Sequence, residues 1–211
     1  MRLYDYPASA NCYKVRLLLA LLGRDYERVP VDIFAGDTLT ADYARLNPAR
    51  ETPVLELDDG SRLAQSNAIL WYLAAGSRHL PNGELEQAHI LQWLFFEQER
   101  VMSGIGSARF RTLTTRQPEQ LRGRLELGKT ALEMLQAHLR DRVFLVGQAC
   151  TIADISNYAY THVAGDAGYD LRTYPAIVAW LARVRAEPGF VDDLTPYPEN
   201  ASPGLGRSIY E

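Results

Sequence analysis

The chain has 211 residues, of which 47% are hydrophobic and 23% are charged. This balance is typical of a water-soluble globular protein and argues against a disordered or fibrous chain. The 22 lysines and arginines against 26 aspartates and glutamates give a formal net charge of −4. Because no basic excess is available to neutralise a phosphate backbone, nucleic acid is not expected to be the primary partner.

The sequence also has no pattern typical of a membrane span, a secretory signal, a disulfide framework or a zinc site. The apolar stretches, such as residues 15–22 with Arg16 inside them, are too short to span a bilayer. The N-terminus lacks the apolar run and small-residue cleavage site of a secretory signal. Cys12 and Cys150 lie far apart, and no Cys/His spacing fits zinc. These features predict a cytoplasmic protein without structural disulfides, bound metal or membrane contact.

The first part of the chain alternates predicted strands and helices. The Asp59-Gly60 pair indicates a hairpin turn, and Gly23 follows an apolar helical pattern at the place where a left-handed cap is common. The predicted elements are strands over 2–6, 26–32, 54–57 and 62–64 and helices over 12–22 and 66–75. Their order, with one further helix before the hairpin, predicts a small mixed sheet whose first crossover forms a parallel pair.

After Gly76 the pattern becomes almost wholly helical. The helical periods fall over 84–109 and 118–140, from 151 onward, and over 175–186, and the Pro- and Gly-rich stretch 187–211 is expected to be irregular. We therefore predict an α/β domain over residues 1–76, a polar linker over 77–83 and an all-helical domain over 84–211.

Three polar side chains lie in the turn before the first predicted helix, namely Ser9, Asn11 and Cys12. A helix N-terminus presents unpaired backbone N–H groups and the positive end of the helix dipole. Hydroxyl and amide donors at such a place can keep a bound thiolate ionised near neutral pH. The alternative interpretation is that Ser9 or Asn11 only caps the helix.

Two further segments of the first domain offer groups to a ligand. A cis bond between Thr52 and Pro53, just before a strand, would leave backbone groups of Thr52 unpaired, whereas an ordinary trans bond is the alternative. Ser66 begins a helix, where it either caps that helix or offers its N–H and hydroxyl to a carboxylate. Gln65 adds an amide that capping does not explain.

In the helical half, Thr151 and Asp154 have the three-residue spacing of a reciprocal helix cap. We interpret this pair as a folding feature and not as part of a catalytic site.

These four features, in this order, resemble the glutathione transferase superfamily over nearly the whole chain. The helical half adds Tyr174-Pro175, Trp180 and Arg183, which are similar to a family pattern. The resemblance implies a thioredoxin-like N-terminal domain of order βαβαββα and a C-terminal helical domain that carries the electrophile pocket and dimer contacts. It also implies a homodimeric detoxification enzyme that uses glutathione as co-substrate and a small hydrophobic electrophile or disulfide as second substrate.

The resemblance also implies how glutathione would lie. Its γ-glutamyl carboxylate and ammonium would meet Gln65 and Ser66, and its cysteinyl backbone would pair with Thr52, whose bond to Pro53 would be cis. Its sulfur would face the turn at residues 9–12.

The residue that activates the thiol is left open among three candidates. Asp5 stands where tyrosine-type members have their tyrosine, and its neighbour Tyr6 is expected to point the other way by strand alternation. Serine-type members use a hydroxyl where Ser9 stands, and nu-like members use an arrangement that Ser9-Ala10-Asn11 resembles. We rank Ser9 first and Asn11 close behind, with Cys12 third and more often an apolar filler.

Three further features of this chain bear on contacts that the family resemblance implies. Glu51 stands where the family often has a lysine or glutamine for the glycyl carboxylate, so Arg50 would take over that contact. Glu97 or Glu99 would reach the glutathione ammonium of a partner subunit, unless both belong to a solvated charged run. Gly104 and Gly106 would let a backbone or substrate approach closely.

Several alternative functions share this scaffold. A glutathione-dependent disulfide reductase, an isomerase and a dehalogenase would have the same fold, because function depends on the site and not on the fold. A non-catalytic binding or regulatory relative is the alternative from another class. Glu51 favours that last hypothesis, whereas Gln65, Ser66, Ser9 and Asn11 favour an enzyme.

Overall fold

A computed structural model describes residues 1–210. Within them, the strands are β1 (Arg2–Asp5), β2 (Glu27–Pro30), β3 (Val54–Glu56) and β4 (Arg62–Ala64). The helices are α1 (Ala10–Leu21), α2 (Ala41–Leu46), α3 (Ser66–Ala74), α4 (Glu84–Phe96), α5 (Ser107–Thr114), α6 (Leu121–Leu139), α7 (Ile152–Thr161) and α8 (Pro175–Arg185). None of these helices is long and apolar enough to cross a membrane.

The four strands form one mixed sheet in the order β2-β1-β3-β4. β1 pairs in parallel with β2, with Leu3 opposite Arg28, and antiparallel with β3, with Leu3 opposite Leu55. β3 and β4 form the predicted antiparallel hairpin. The predicted order βαβαββα and the mixed sheet are therefore confirmed, and the carboxyl end of β1 leads directly into the turn before α1.

Helix α1 begins two residues earlier than its apolar pattern predicts. Ser9 is its N-cap, and the Ser9 Oγ accepts a hydrogen bond from the backbone N–H of Cys12 at 3.3 Å. At the other end, Gly23 has the predicted left-handed backbone, with a φ of 60°. Asn11 consequently lies in the first turn of α1 and not before it.

The predicted long helix 84–109 is divided into three parts. A π-helical segment, Glu97–Gly106, joins α4 to α5, and such wide turns are often found at functional sites. A Cβ atom on Gly104 would lie 2.5 Å from the backbone nitrogen of Gly128, and one on Gly106 would lie 2.6 Å from the Tyr160 ring. The predicted close approach of a backbone is confirmed at Gly104, whereas at Gly106 the close neighbour is an aromatic side chain.

One buried apolar cluster continues through both halves of the chain. It includes Leu3 and Leu17 from the first half and Ile90, Leu135 and Trp180 from the second. Residues 75–83 between α3 and α4 contain no helix or strand. The predicted linker therefore coincides with an irregular segment, but the core does not divide there.

The reciprocal cap predicted for α7 is confirmed. Thr151 and Asp154 exchange hydrogen bonds at the start of this helix. The Asp154 carboxylate is fully buried and also accepts hydrogen bonds from the Leu145 N–H and the Trp180 indole, both at 2.9 Å. The cap therefore fastens α7 to the preceding loop and to α8.

The C-terminal segment after α8 is largely irregular, as predicted, with one short 3-10 turn at Glu199–Ala201. It returns to the first half of the chain. The Thr195 N–H donates to the Pro7 carbonyl at 3.3 Å, and the Arg207 N–H donates to the Phe34 carbonyl at 2.7 Å. These contacts bring residues of the segment beside the turn that precedes α1.

Candidate active site

A cavity of about 420 Å³ lies between the two halves of the chain. The first half contributes Tyr6, Ser9, Asn11, Ile33, Glu51, Thr52 and Gln65 to its wall, the helical half contributes Gln98, Met102, Gly106, Ser107, Phe110, Arg111, Gln117 and Tyr160, and the C-terminal segment contributes Tyr197 and Tyr210. The polar turn before α1 thus faces an aromatic wall across an open space.

Ser9 has two roles that are compatible with each other. Its Oγ accepts the hydrogen bond that caps α1, and it lies in the cavity wall. A hydroxyl has one donor hydrogen and two acceptor lone pairs. Because the cap uses only a lone pair, the hydroxyl hydrogen is left for a second partner, either the adjacent Cys12 thiol or a ligand atom in the cavity.

The Asn11 side chain is held in one orientation by two donors. Its Oδ1 accepts from the Lys14 ammonium at 2.9 Å and from the Ser66 hydroxyl at 3.3 Å. A lysine ammonium can only donate, so the oxygen end of the amide must face Lys14. The NH₂ end makes no hydrogen bond within residues 1–210, and Asn11 lies in the cavity wall. The amide therefore presents donors to a ligand.

Lys14 and Glu97 form a buried ion pair behind Asn11. The Lys14 Nζ lies 2.8 Å from the Glu97 Oε1, and both side chains have no exposed surface. The other carboxylate oxygen of Glu97 accepts from the Asn67 amide at 3.0 Å and the Ser156 hydroxyl at 3.3 Å. Burial lowers the pKa of Lys14, and the charge of Glu97 opposes that shift.

The expectation for Glu97 was wrong in both of its forms. Its side chain is neither solvated nor free to reach a partner subunit, because it is enclosed with Lys14. Glu99, by contrast, has an exposed side chain that pairs with Arg100 at 3.3 Å. Glu97 and Glu99 are two residues apart in a helical segment and therefore point to different sides of it. A charged run in the sequence does not show which of the two is buried.

Thr52 and Gln65 lie where a peptide ligand can pair with backbone. The Thr52–Pro53 bond is cis, as the resemblance implied. Gln65 has a left-handed backbone with a φ of 70°, which is costly for a non-glycine residue and is found most often at functional sites. Both residues lie in the cavity wall.

Four of the predicted glutathione-binding residues are not part of the cavity wall, namely Cys12, Arg50, Pro53 and Ser66. Pro53 is buried. The Cys12 thiol points into the core, where burial raises its pKa to about 11 and its Sγ accepts from the Tyr6 N–H at 3.4 Å. The Arg50 guanidinium donates to the backbone carbonyls of Thr38 and Thr40 instead of facing the cavity. Ser66 is buried, and its hydroxyl orients Asn11.

Tyr6 lies in the cavity wall, a place that the sequence analysis did not assign to it. It does point away from Asp5, as alternation requires, but Asp5 points into the protein and pairs with Arg16 at 2.6 Å. The Tyr6 hydroxyl is buried and has no hydrogen-bond partner within residues 1–210. Burial raises the pKa of Tyr6, so the phenol is neutral and can donate.

Arg111 is a cavity residue that sequence reasoning missed. Its side chain is 8% exposed and its hydrogen-bond partners are the Ser107, Gln117 and Gln120 side chains and the Ser107 carbonyl. An arginine on a helix face carries no local signal that distinguishes a cavity wall from a surface. The positive φ of Gln117, 49°, also depends on the tertiary structure and could not be predicted from the sequence.

No group of three or more His, Cys, Asp and Glu side chains within residues 1–210 is arranged to hold a metal ion.

Comparisons with known proteins agree over both halves of the chain. The family model "Glutathione S-transferase, N-terminal domain" matches residues 8–75, and "Glutathione S-transferase, C-terminal domain" matches residues 88–188. A crystal structure of glutathione S-transferase from Pseudomonas fluorescens is 44% identical, with 92% of this chain and 98% of that chain covered and a TM-score of 0.88.

Two kinds of sequence relatives are similar at lower identity. Maleylacetoacetate isomerase of Rhizobium meliloti is 30% identical, and the match covers 84% of this chain and 87% of that protein. Elongation factor 1-gamma-B of Xenopus laevis is also 30% identical, with 73% of this chain covered. The chain spans 36% of that factor and 40% of elongation factor 1-gamma of Artemia salina. Both family models and the structural match lead to one conclusion: the chain belongs to the glutathione S-transferase family.

Proposed function

We propose that this protein is a glutathione-dependent transferase that stabilises the glutathione thiolate at the start of α1. The observation that carries this proposal is the fixed orientation of the Asn11 amide. Its oxygen is held by Lys14 and Ser66, so that its donors face the cavity beside the Ser9 hydroxyl. A site with two such donors favours an anion over a neutral thiol.

The backbone of α1 would add to the two side-chain donors. The N–H groups of Ala10 and Asn11 belong to the first turn of the helix and have no intrahelical acceptor. Together with the positive end of the helix dipole they favour negative charge at this point. The thiol proton would leave to solvent, and the sulfur would then form a bond to the electrophilic carbon while a leaving group departs with its electron pair.

The proposed pose assigns the rest of the tripeptide to residues 1–76. The cysteinyl backbone would pair with Thr52, and the γ-glutamyl group would meet the Gln65 amide and the backbone N–H of Ser66 at the start of α3. Glu51 lies in the same wall and would disfavour a carboxylate nearby. Residues 84–211 would then bind the second substrate, against Phe110, Tyr160 and the C-terminal segment.

We also propose that the protein is a cytoplasmic homodimer. α3 and α4 line an apolar groove that includes Trp71, Leu91 and Phe95. Leu91 is 38% exposed and Phe95 is 71% exposed, which is unusual for neighbouring large apolar side chains unless a partner covers them. A second copy of the chain is the occupant that the family resemblance implies.

A glutathione-dependent isomerase is the second candidate. It is favoured by the relative of Rhizobium meliloti, which is named maleylacetoacetate isomerase and matches 84% of this chain. An isomerase would use the same thiolate to add to a double bond and would release it after rotation, so Ser9 and Asn11 would have the same roles.

Calorimetric titration with glutathione tests glutathione binding, which the transferase and isomerase proposals both require. We expect binding at millimolar concentration or below and a weaker affinity in a Gln65→Ala variant. Absence of binding to the unaltered protein would instead favour a non-catalytic relative. Turnover of aromatic halide, haloalkane, disulfide and cis-alkene substrates then distinguishes the transferase from the other reactions.

A further inference from the structure

Arg111 brings an uncompensated positive charge to the cavity wall. Its Nη1 donates to the Ser107 carbonyl at 3.2 Å and to the Ser107 Oγ at 2.5 Å, and its Nη2 donates to the side-chain oxygens of Gln117 at 2.7 Å and Gln120 at 2.5 Å. All four acceptors are neutral. The Nε–H is buried and has no partner within residues 1–210.

The other buried arginines of the described chain are arranged differently. Arg16 pairs with two aspartates and Arg109 with one. Arg116 donates to two backbone carbonyls of the C-terminal segment, lies over the Phe34 ring and does not line this cavity. Arg111 is thus set apart by the combination of neutral partners, an unpaired donor and a place in the cavity wall.

Keeping such a cation costs free energy, because burial removes part of its hydration and none of its hydrogen-bond acceptors is a carboxylate. Burial and the nearby charge of Arg124 lower the pKa of Arg111, and the charge of Glu119 opposes that shift. The four hydrogen bonds nevertheless hold the guanidinium in one orientation. An oriented cation in the cavity wall whose hydrogen-bond partners are all neutral is well suited to bind an oxyanion.

The surroundings indicate which molecule would supply the oxyanion. Ser107 and Gln117, which accept hydrogen bonds from Arg111, and its sequence neighbour Phe110 all line the cavity and belong to the helical half of the chain. The residues proposed to hold glutathione belong to the first half. The aromatic rings of Phe110 and Tyr197 pack against one another, with centroids 5.9 Å apart, and offer an apolar surface in the same cavity.

We propose that Arg111 binds a carboxylate of the second substrate, so that the protein acts on acidic aromatic or unsaturated compounds and not only on neutral hydrophobic ones. The carboxylate would pair with the Arg111 guanidinium, and the apolar body of the substrate would lie against Phe110 and Tyr197. This inference rests on the proposed glutathione-dependent function for the reaction, but the anion site itself does not require that function.

Binding of an unreactive pair of ligands tests the site directly. The probes are para-nitrobenzoate and para-nitrobenzamide, which differ in charge but hardly in shape, titrated by calorimetry without glutathione. We expect the unaltered protein to prefer the carboxylate. Arg111→Gln should weaken carboxylate binding roughly 10- to 100-fold and leave the amide nearly unchanged.

Arg124→Gln is the matched control, because it removes the same charge close by from a residue that does not line the cavity. It should keep the preference for the carboxylate. Equal affinity for the two probes in the unaltered protein would overturn the proposal, as would an equal loss in both variants. If Arg111→Gln does not fold, the NMR signal of the Arg111 Nε–H in the unaltered protein decides: it should shift with the carboxylate and not with the amide.

One further measurement shows whether the bound carboxylate comes from the second substrate or from glutathione. Another separates the anion site from the proposed transferase function. Glutathione affinity should be the same in Arg111→Gln, and a selective loss of glutathione binding would instead assign the site to the glycyl carboxylate and overturn the inference. Turnover of para-chloro-meta-nitrobenzoate with glutathione should fall in Arg111→Gln much more than turnover of the matching amide. A carboxylate preference in binding, with no turnover of either compound, would uphold the anion site and contradict the transferase function.

Discussion

Lys14 of α1 and Glu97 of the π-helical segment form an ion pair with an Nζ–Oε1 distance of 2.8 Å, and neither side chain has any exposed surface. This pair joins the two halves of the chain directly behind the candidate thiolate site. The same ammonium donates to Asn11, so the stability of the interface and the orientation of the Asn11 amide depend on one group.

Removing one member of this pair should destabilise the protein strongly. Lys14→Met would leave the Glu97 carboxylate buried without a counter-ion, which typically costs about 3–5 kcal/mol of unfolding free energy. Lys14→Met with Glu97→Gln removes both charges and should recover much of that loss. Urea unfolding of the single and double variants measures both effects.

Lys129→Met is the control for this prediction, because Lys129 forms an exposed pair with Glu133 at 3.8 Å. Such a pair is worth about 1 kcal/mol or less. A double variant that is no more stable than Lys14→Met would show that an unpaired charge is not the cause of the loss.

Asn11→Ala should raise the pKa of the glutathione thiol in the complex. Loss of one hydrogen bond to a charged group corresponds to about one to two pKa units, so turnover near neutral pH should fall by about 10- to 100-fold and recover partly at higher pH. The ultraviolet absorbance of the bound thiolate, followed against pH, measures the shift. An unchanged thiol pKa would contradict the proposed role of Asn11.

The two roles of Ser9 can be separated with a pair of variants. Ser9→Ala removes the helix cap and the donor, at a cost of about 1 kcal/mol of stability, whereas Ser9→Gly removes the donor but costs only a few tenths. If the hydroxyl donates to the thiolate, both variants should lose turnover equally. If Ser9→Ala instead loses more turnover than Ser9→Gly, in proportion to its larger loss of stability, the Ser9 side chain acts only as a helix cap.

Gly104→Ala should destabilise the packing of the π-helical segment on α6. The new Cβ would lie 2.5 Å from the Gly128 nitrogen, and a backbone atom cannot move aside as a flexible side chain can. We expect a loss of about 1–3 kcal/mol. Gly123→Ala on α6 meets nothing within 4 Å and should be neutral or stabilising, by up to about 1 kcal/mol. Thermal and urea unfolding of both variants test the contrast.

Phe95→Glu should shift the protein from dimer to monomer if the apolar groove between α3 and α4 is the dimer interface. Phe95 is 71% exposed in the single chain, and a charge there would be buried without a partner in the dimer. Val178→Glu is the control, because Val178 is 44% exposed on α8 and lies outside the groove. Sedimentation equilibrium measures the oligomeric state. A dimer that persists in Phe95→Glu would place the interface elsewhere.

Asp154 should make stability fall as pH rises between about 4 and 6. Burial raises the pKa of its carboxyl from 3.8 to about 6 in the folded protein, so the folded state holds the proton more tightly than the unfolded state. The associated stabilisation is complete below pH 4 and is lost as pH rises through the folded pKa. Asp154→Asn removes this titration. The difference in unfolding free energy between the two proteins should therefore decrease over that interval, and a difference that is constant with pH would refute the shift.

Local features were predictable because they depend on neighbours in sequence. The hairpin of β3 and β4, the cap of α7 and the left-handed Gly23 all follow from short-range patterns. The turn that carries Ser9 and Asn11 was also identified, since it joins a strand to a helix N-terminus. Its chemistry was not resolved, because either residue can cap a helix or donate to a ligand.

The sequence by itself determined the two-part fold and the polar turn, because backbone hydrogen bonding and apolar periodicity are encoded within a few residues. Only the tertiary structure decided that Glu97 is buried against Lys14, that Cys12 and Arg50 face away from the cavity, and that Arg111 faces into it. These outcomes depend on desolvation and on contacts between distant segments. A charged side chain looks the same in a sequence whether water or another part of the chain surrounds it.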